Sequence, residues 1–282
     1  MSYKTILVQL DGLPRCEARV ELSARMALEY ESHLLGLAPT GLVHLPVEAG
    51  AGLSGSPEHV QAARAGFSQR AQAAVDRFVE HAKACGVKSC EGRIEEDDSI
   101  GAIVAHGRCS DLVVVGQTDH HATTPILSAD FPQQVLLRVG RPVLIVPYAG
   151  EFKALGGHVL VAWSDKRESV RALCDALPLL HKARKVSVVC FKAIGDHAGQ
   201  HPAQQRLSAL REWLARHGIA SQPRLEVTDI DVGNAILSNA ADLGADVIVS
   251  GAYGHSRLSE FILGGVTRTL LAHMTVPVLM SH

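Results

Sequence analysis

The sequence of 282 residues lacks the features that mark most membrane, secreted and nucleic-acid-binding proteins. No apolar run approaches the ~20 residues that a helix needs to cross a bilayer. The amino terminus leads directly into an apolar strand pattern and has no signal-peptide architecture. The formal net charge is −2 and Lys and Arg form no dense cluster, so we expect neither nucleic acid nor a membrane as partner. These absences predict a cytoplasmic protein.

Cysteine and histidine patterns typical of redox or metal sites are also missing. The six cysteines are scattered, without a CxxC pair, and are expected to be reduced and buried. A redox role for Cys85 and Cys90 is an alternative, but nothing near them argues for a lowered thiol pKa. His197 and His201 lie close in sequence without a third ligand nearby, so no metal is predicted.

Standard nucleotide and hydrolase motifs are absent as well. The first strands of the two halves are followed by Asp11-Gly-Leu-Pro and Ser164-Asp-Lys-Arg rather than by GxGxxG. The chain contains no GxxxxGK[ST], no HExxH and no GxSxG. No nucleophile has a neighbouring base that spacing could defend, so the sequence supports no catalytic mechanism.

One strand pattern is present twice. Asp111-Leu-Val-Val-Val-Gly116 corresponds to Asp246-Val-Ile-Val-Ser-Gly251, and Arg141-Pro-Val-Leu-Ile-Val corresponds to Val276-Pro-Val-Leu-Met-Ser. The two copies are separated by the same length of chain, which indicates an internal duplication. We predict two domains, residues 1–148 and 155–282, each near the common domain size.

Apolar Val, Ile and Leu runs alternate with helical periodicity in both halves. Ile6-Leu-Val begins the first half and Val159-Leu-Val begins the second. This order predicts an α/β fold of two tandem doubly wound domains, each a five-stranded parallel sheet with helices on both faces. Ligands of such sheets bind beyond the carboxyl ends of the strands, where the strand order reverses.

The most informative stretch is a glycine-rich loop in the second half. Gly251-Ala-Tyr-Gly254 is followed, after nine further residues, by Gly264-Gly265-Val-Thr267. The loop lies between a predicted strand and a predicted helix, where glycines admit a ligand close to the backbone and can adopt positive φ. Free N–H groups at the positive end of the helix dipole favour a phosphate, and the Thr267 hydroxyl adds a donor.

These residues resemble the universal stress protein family. Its signature is a glycine, two residues, a glycine, nine residues and Gly-Ser/Thr, then Val-Thr and a Pro-Val strand; the matching residues are Gly251, Gly254, Gly264, Val266, Thr267 and Pro277. The resemblance covers essentially the whole chain. It implies a stress-response protein whose two halves pair their last strands, Val143–Val146 with Val278–Met280, about a pseudo-twofold axis. A further homodimer is left open.

Nucleotide-binding members of this family hold ATP between an aspartate after the first strand and the glycine loop. The resemblance therefore implies ATP or a related adenine nucleotide in the second half. The implied binding residues are Ala162, Trp163, Ser164, Asp165, Gly251, Gly254, His255, Gly264, Gly265, Val266 and Thr267. Two positions depart from the pattern: Ser164, followed by Asp165, stands at the aspartate position, and Gly265 stands at the Ser/Thr position.

The first half retains the aspartate as Asp11, but its loop is degraded. Asp119 replaces the second glycine, Ala129 the third, and Asp130 follows. Pro132 stands where Thr267 does, so an amide donor and a hydroxyl are both lost. Carboxylates facing a polyphosphate would repel it, and we expect no phosphate here.

Alternatives without a ligand remain open. The four glycines could only let the loop fold back on the sheet, Ser164 could be a turn residue, and Thr267 could cap its own helix. The protein would then be a nucleotide-independent interaction scaffold. For the nucleotide-binding protein we expect at most slow ATP hydrolysis, without a named base. An enzyme of the broader adenine-nucleotide hydrolase-like fold is a third reading.

Overall fold

The chain folds into two compact units. The computed structural model describes residues 2–13, 15–41, 57–119, 130–152, 155–194, 200–254 and 264–282. Tyr3–Val139 forms the first unit and Gly140–His282 the second. The α/β class predicted from the sequence is confirmed, whereas the domain bounds 1–148 and 155–282 stay a prediction.

The first unit contains a parallel sheet. Neighbouring strands are ordered β3-β2-β1-β4, and every pair is parallel. Its elements are β1 (Thr5–Gln9), α1 (Cys16–Tyr30), β2 (His33–Pro39), α2 (Pro57–Ala84), β3 (Cys90–Glu95), α3 (Ser99–Gly107), β4 (Leu112–Gly116) and α4 (Phe131–Val139).

The second unit contains a larger sheet. Its elements are β5 (Val143–Val146), β6 (Val159–Trp163), α5 (Arg167–Asp175), α6 (Leu177–Lys182), β7 (Val186–Ala193), α7 (Gln200–Arg216), β8 (Arg224–Thr228), α8 (Val232–Leu243), β9 (Val247–Gly251), α9 (Gly265–His273) and β10 (Val278–Ser281). The strand order is β5-β10-β9-β6-β7-β8, and only β5 runs antiparallel to its neighbour.

The predicted pairing of the last strands is confirmed. β5 and β10 are antiparallel, with Leu144 opposite Leu279 and Val143 opposite Met280. All four side chains are fully buried. The pairing covers two apolar strand edges that would otherwise be open to aggregation, which explains why the strand Val143–Val146 belongs to the second compact unit.

The helical segment between β6 and β7 is interrupted. The structure divides it into α5 and α6 at Ala176. Pro178 lies in the first turn of α6, where its missing N–H is tolerated, but it cannot continue the hydrogen bonding of α5. Apolar periodicity alone concealed this break because Leu177, Leu179 and Leu180 are all buried.

Strand order reverses at β6 in the second unit. The chain passes from β6 to β7 on one side and returns to β9 on the other. The carboxyl ends of β6 and β9 therefore diverge into loops at the place where α/β sheets hold ligands.

The expectation that the cysteines are buried holds for Cys16 and Cys190 but is wrong for Cys109 and Cys174, which are exposed. Cys174 lies on the outer face of α5, whose inner face buries Ser169, Ala172 and Leu173. All six thiols are free, and burial raises the pKa of the Cys16 and Cys190 thiols. Within the described ranges, no helix is both long and apolar enough to span a membrane.

Candidate functional site

A cavity of about 280 Å³ opens at the carboxyl ends of β6 and β9. Nine of the eleven residues implied as binding residues line it: Ala162, Trp163, Ser164, Gly251, Gly254, Gly264, Gly265, Val266 and Thr267. Asp165 is not among the lining residues. His255 lies outside the described residues. The structure thus brings together the two parts of the glycine loop and the end of β6.

Gly251 is required by packing. A Cβ at this position would lie 2.5 Å from the carbonyl carbon of Glu168 and 2.5 Å from the amide nitrogen of Ser169. Both atoms belong to the backbone of α5, so they cannot move aside as a flexible side chain would. The absence of a side chain at Gly251 therefore lets the first turn of α5 pack against the end of β9.

Gly264 and Gly265 have no such packing role. Among the described residues, a Cβ on Gly264 would meet no atom within 4 Å, and a Cβ on Gly265 would meet only Asp231, whose Oδ2 is 4.0 Å away. Gly264 is the N-cap of α9 and offers no side-chain acceptor to the first turn of the helix. The positive end of the α9 dipole therefore forms part of the cavity wall, where it favours an anion.

Backbone strain in the loop falls on a different residue from the one expected. None of Gly251, Gly254, Gly264 and Gly265 has positive φ, whereas Tyr253 has φ 61°. The amide of Tyr253 donates a hydrogen bond to Thr267 Oγ1 at 3.3 Å. Thr267 is 3% exposed and thus fastens the loop to α9. The N-cap residue of α9, Gly264, has no side chain to cap the helix, and the described partner of the Thr267 hydroxyl is the Tyr253 amide.

Ser164 lines the cavity, whereas Asp165 is paired with a residue of α7. Ser164 lines the cavity and is exposed. Asp165 adopts φ 57°, a left-handed conformation that Asp tolerates better than most residues, and its carboxylate forms an ion pair with Arg206 of α7. The serine, and not the aspartate, therefore occupies the cavity end of β6.

Seven lining residues escaped the sequence analysis: Lys166, Phe191, Asp231, Val232, Ile236, Ser250 and Tyr253. Phe191 lies near the carboxyl end of β7, and Val232 and Ile236 lie in the first turns of α8. These three side chains make part of the cavity wall apolar. The available signal was the N-cap pattern Asp231-Val-Gly-Asn at the start of a predicted helix, which marks the carboxyl end of the sheet.

The match to known proteins agrees with this geometry. Residues 157–282 match the universal stress protein family. The second half of the chain is therefore similar to universal stress proteins. No curated protein matches the sequence.

Solved structures extend the likeness in fold to the whole chain. A universal stress protein from Archaeoglobus fulgidus DSM 4304 aligns with TM-score 0.76 and 18% identity, covering 99% of this chain and 96% of that one. A functionally unknown protein from Pseudomonas aeruginosa PAO1 aligns with TM-score 0.64 and 18% identity, covering 99% and 92%. At these identities the likeness shows the fold alone.

A structure of a universal stress protein in complex with cAMP aligns over 52% of this chain and 98% of its own, at 21% identity and TM-score 0.38. A likeness of this size carries no argument about the ligand of this chain. Among the residues that the structure describes, no group of three or more His, Cys, Asp or Glu side chains is placed to hold a metal ion.

In the first unit, Asp11, the aspartate that the resemblance implies as a nucleoside contact, forms a buried ion pair. Arg19 Nη2 contacts Asp11 Oδ2 at 2.7 Å, with side-chain exposures of 3% and 5%. Arg19 Nε also donates to the Gln9 carbonyl at 3.0 Å, and the amide of Leu13 donates to Asp11 Oδ1 at 3.0 Å. Asp11 is therefore already fully engaged.

The same arginine fills the space beside Gly116, the counterpart of Gly251. A Cβ on Gly116 would collide with Arg19 Nη1. When Ile6 is matched with Val159, the counterpart of Arg19 is Ala172, which is buried in α5. Asp130 accepts a hydrogen bond from Gln134 Nε2 at 2.9 Å, Pro132 is buried in α4, and Ala129 lies outside the described residues.

Asp11→Ala should destabilise the protein by about 3–5 kcal/mol, because it leaves the Arg19 guanidinium buried without its counter-ion. The double variant Asp11→Ala/Arg19→Met should recover most of that loss. Urea unfolding of the two variants and the wild type measures both effects. A single variant as stable as the wild type would show that the pair is not buried in solution.

Gly251→Ala and Gly264→Ala should separate packing from ligand binding. Gly251→Ala forces backbone atoms apart and should cost about 1–3 kcal/mol of stability, as overpacking does. Gly264→Ala adds a methyl group in open space and should cost less than ~1 kcal/mol, the scale of an N-cap change. Urea unfolding of both variants provides the test, and equal costs would contradict the packing role of Gly251.

Proposed function

We propose that the second unit binds an adenine nucleotide and that the chain is a cytoplasmic stress-response protein acting through that site. The observation that carries the proposal is the cavity at the strand-order reversal, where an apolar wall faces a helix N-terminus without a side-chain cap. Its volume lies near the lower end of the ~300–1,000 Å³ range of small-molecule sites.

The two sides of the cavity suit the two ends of a nucleotide. Phe191, Val232 and Ile236 offer apolar surface to a flat base. Gly264 and Gly265 leave room for a phosphate against the first turn of α9, where backbone N–H groups and the helix dipole favour negative charge. Ser164, at the end of β6, lies between these two regions in the family arrangement and faces the ribose.

A scaffold that needs no nucleotide is the second candidate, and one observation favours it. Gly251 and Thr267 are both explained by contacts within the protein, so the loop can keep its conformation without a ligand. Gly264 and Gly265 are not explained by described contacts within the protein, and for this reason we favour nucleotide binding over the scaffold. We assign no hydrolytic activity, since no residue at the cavity has been identified as a base for water.

Gly254→Asp should weaken nucleotide binding by at least ~1–2 kcal/mol, the scale of an unfavourable charge pair at partial burial. A Cβ on Gly254 would already lie 3.0 Å from Glu168 Oε2, so the new carboxylate would add to existing negative charge. The measurement is equilibrium binding of ATP, ADP and AMP to protein freed of co-purified ligand.

Gly66→Asp is the matched control, because it adds the same charge in α2 of the first unit, where a Cβ meets no atom within 4 Å. The control should bind like the wild type. Equal affinity of the wild type and Gly254→Asp would remove the glycine loop from the site. Absence of binding by the wild type would favour the scaffold.

Ser164→Asp should raise adenosine affinity, because a carboxylate accepts stronger hydrogen bonds from a ribose diol than a serine hydroxyl does. The expected gain is roughly 1–3 kcal/mol, the size of a hydrogen bond to a charged group. Asp165→Ala should leave adenosine affinity unchanged, since Asp165 is paired with Arg206 away from the cavity lining. Loss of binding in Asp165→Ala would instead place that carboxylate on the nucleoside.

A further inference from the structure

We propose that Asp231 makes the cavity select adenine ligands with few phosphate groups, so that AMP binds more tightly than ATP when no divalent cation is present. The inference rests on the proposed function and adds the charge class of the ligand. It comes from the placement of carboxylates around the loop that would hold the phosphates.

The two carboxylate oxygens of Asp231 have different neighbours, one in α8 and one at the start of α9. Its Oδ1 accepts a hydrogen bond from the amide of Asn234 at 3.2 Å and thereby caps α8. Its Oδ2 lies 4.0 Å from the point that a Cβ on Gly265 would occupy. Asp231 therefore stands across the cavity from the start of α9, within contact range of any group bound over Gly265.

A second carboxylate lies beside the other part of the loop. Glu168 is the second residue of α5, and its side chain is 14% exposed. Its Oε2 lies 3.0 Å from the Cβ position of Gly254, and Lys166 Cδ lies 3.2 Å from the same point. Arg167 contacts Glu168 at 3.6 Å, but its side chain is 81% exposed and its charge is largely screened by solvent.

The positive charge available in the described part of the site is small. Of the cavity-lining residues there, Lys166 is the one cation, and it lies beside the Glu168 carboxylate at Gly254. The α9 N-terminus supplies the equivalent of about half a positive charge. One phosphate group can be accommodated by these contributions, whereas each added phosphoryl group brings more negative charge against Asp231 and Glu168.

Repulsion of this kind acts on ATP far more than on AMP, because it grows with the charge of the ligand. Asp231 is exposed, so its share of the repulsion is sensitive to salt. The carboxylates leave adenosine unaffected, since that ligand carries no phosphate. The structure therefore assigns to Asp231 the discrimination between ligands that share the same base and ribose.

Asp231→Asn is the direct test, because asparagine caps a helix as well as aspartate does and has nearly the same shape without the charge. Binding of ATP, AMP and adenosine is measured by calorimetry in EDTA at low salt. We expect the wild type to prefer AMP over ATP by about tenfold or more, a difference of about 1.4 kcal/mol. Asp231→Asn should tighten ATP binding by about tenfold and change AMP affinity much less.

Asp229→Asn is the matched control. It removes the same charge two residues away; both side chains are exposed, but that of Asp229 does not line the cavity. ATP affinity should change little in this variant. Raising the salt concentration should shrink the difference between Asp231→Asn and the wild type, because mobile ions screen the repulsion. If Asp231→Asn does not fold, Asp231→Ser provides the same test, since serine is also a strong N-cap without charge.

Two results overturn the inference while leaving the proposed function intact. One is tighter binding of ATP than of AMP by the wild type in EDTA. The other is an Asp231→Asn effect on ATP no larger than that of Asp229→Asn. Absence of binding of all three ligands to the wild type and both variants overturns the inference and the proposed function together.

Discussion

The approach of the α5 backbone to the end of β9 is the contact on which the candidate site depends. Gly251 permits it, because any side chain there would meet the backbone of Glu168 and Ser169. The contact fixes the turn that carries Ser164 and Lys166 next to the loop that carries Tyr253 and Gly254. The hydrogen bond from the Tyr253 amide to Thr267 then fastens the start of α9 to the same loop. Two contacts within the protein thus hold the cavity, at which the Cβ positions of Gly264 and Gly265 meet no described atom closer than 4.0 Å.

The two units of the chain use corresponding positions for different purposes. In the first unit, Arg19 reaches the space beside Gly116 and forms a buried ion pair with Asp11. The guanidinium and the carboxylate therefore neutralise each other inside the protein. In the second unit the counterpart of Arg19 is Ala172, and the space beside the strand end is taken by backbone. A cavity of about 260 Å³ remains beside Asp11 in the first unit, but its aspartate is already paired with Arg19.

Local patterns in the sequence were enough to predict the strands and the loop, whereas the pairing of β5 with β10 was implied by the family resemblance. Glycine spacing and the repeated Pro-Val strand are read over a few residues, and the order of a parallel sheet brings their ends together. Phe191 could not be found in this way, because it reaches the cavity from β7, whereas Asp231 was marked only by the N-cap pattern of α8. The left-handed turn at Asp165 and the buried pair formed by Arg19 depend on tertiary packing, which periodicity does not report. The break at Ala176 was hidden because both helices bury the same kind of residue.

Backbone amide NMR of the whole chain during titration with AMP tests most directly whether the second unit is the binding unit. The amides of Gly264, Gly265 and Thr267 lie where the phosphate would bind, while Gly12 and Gly116 report on the corresponding place in the first unit. The account predicts saturable shifts of the first three resonances, with those of Gly12 and Gly116 unchanged. Saturable shifts at Gly12 and Gly116, with none at the α9 N-terminus, would contradict it.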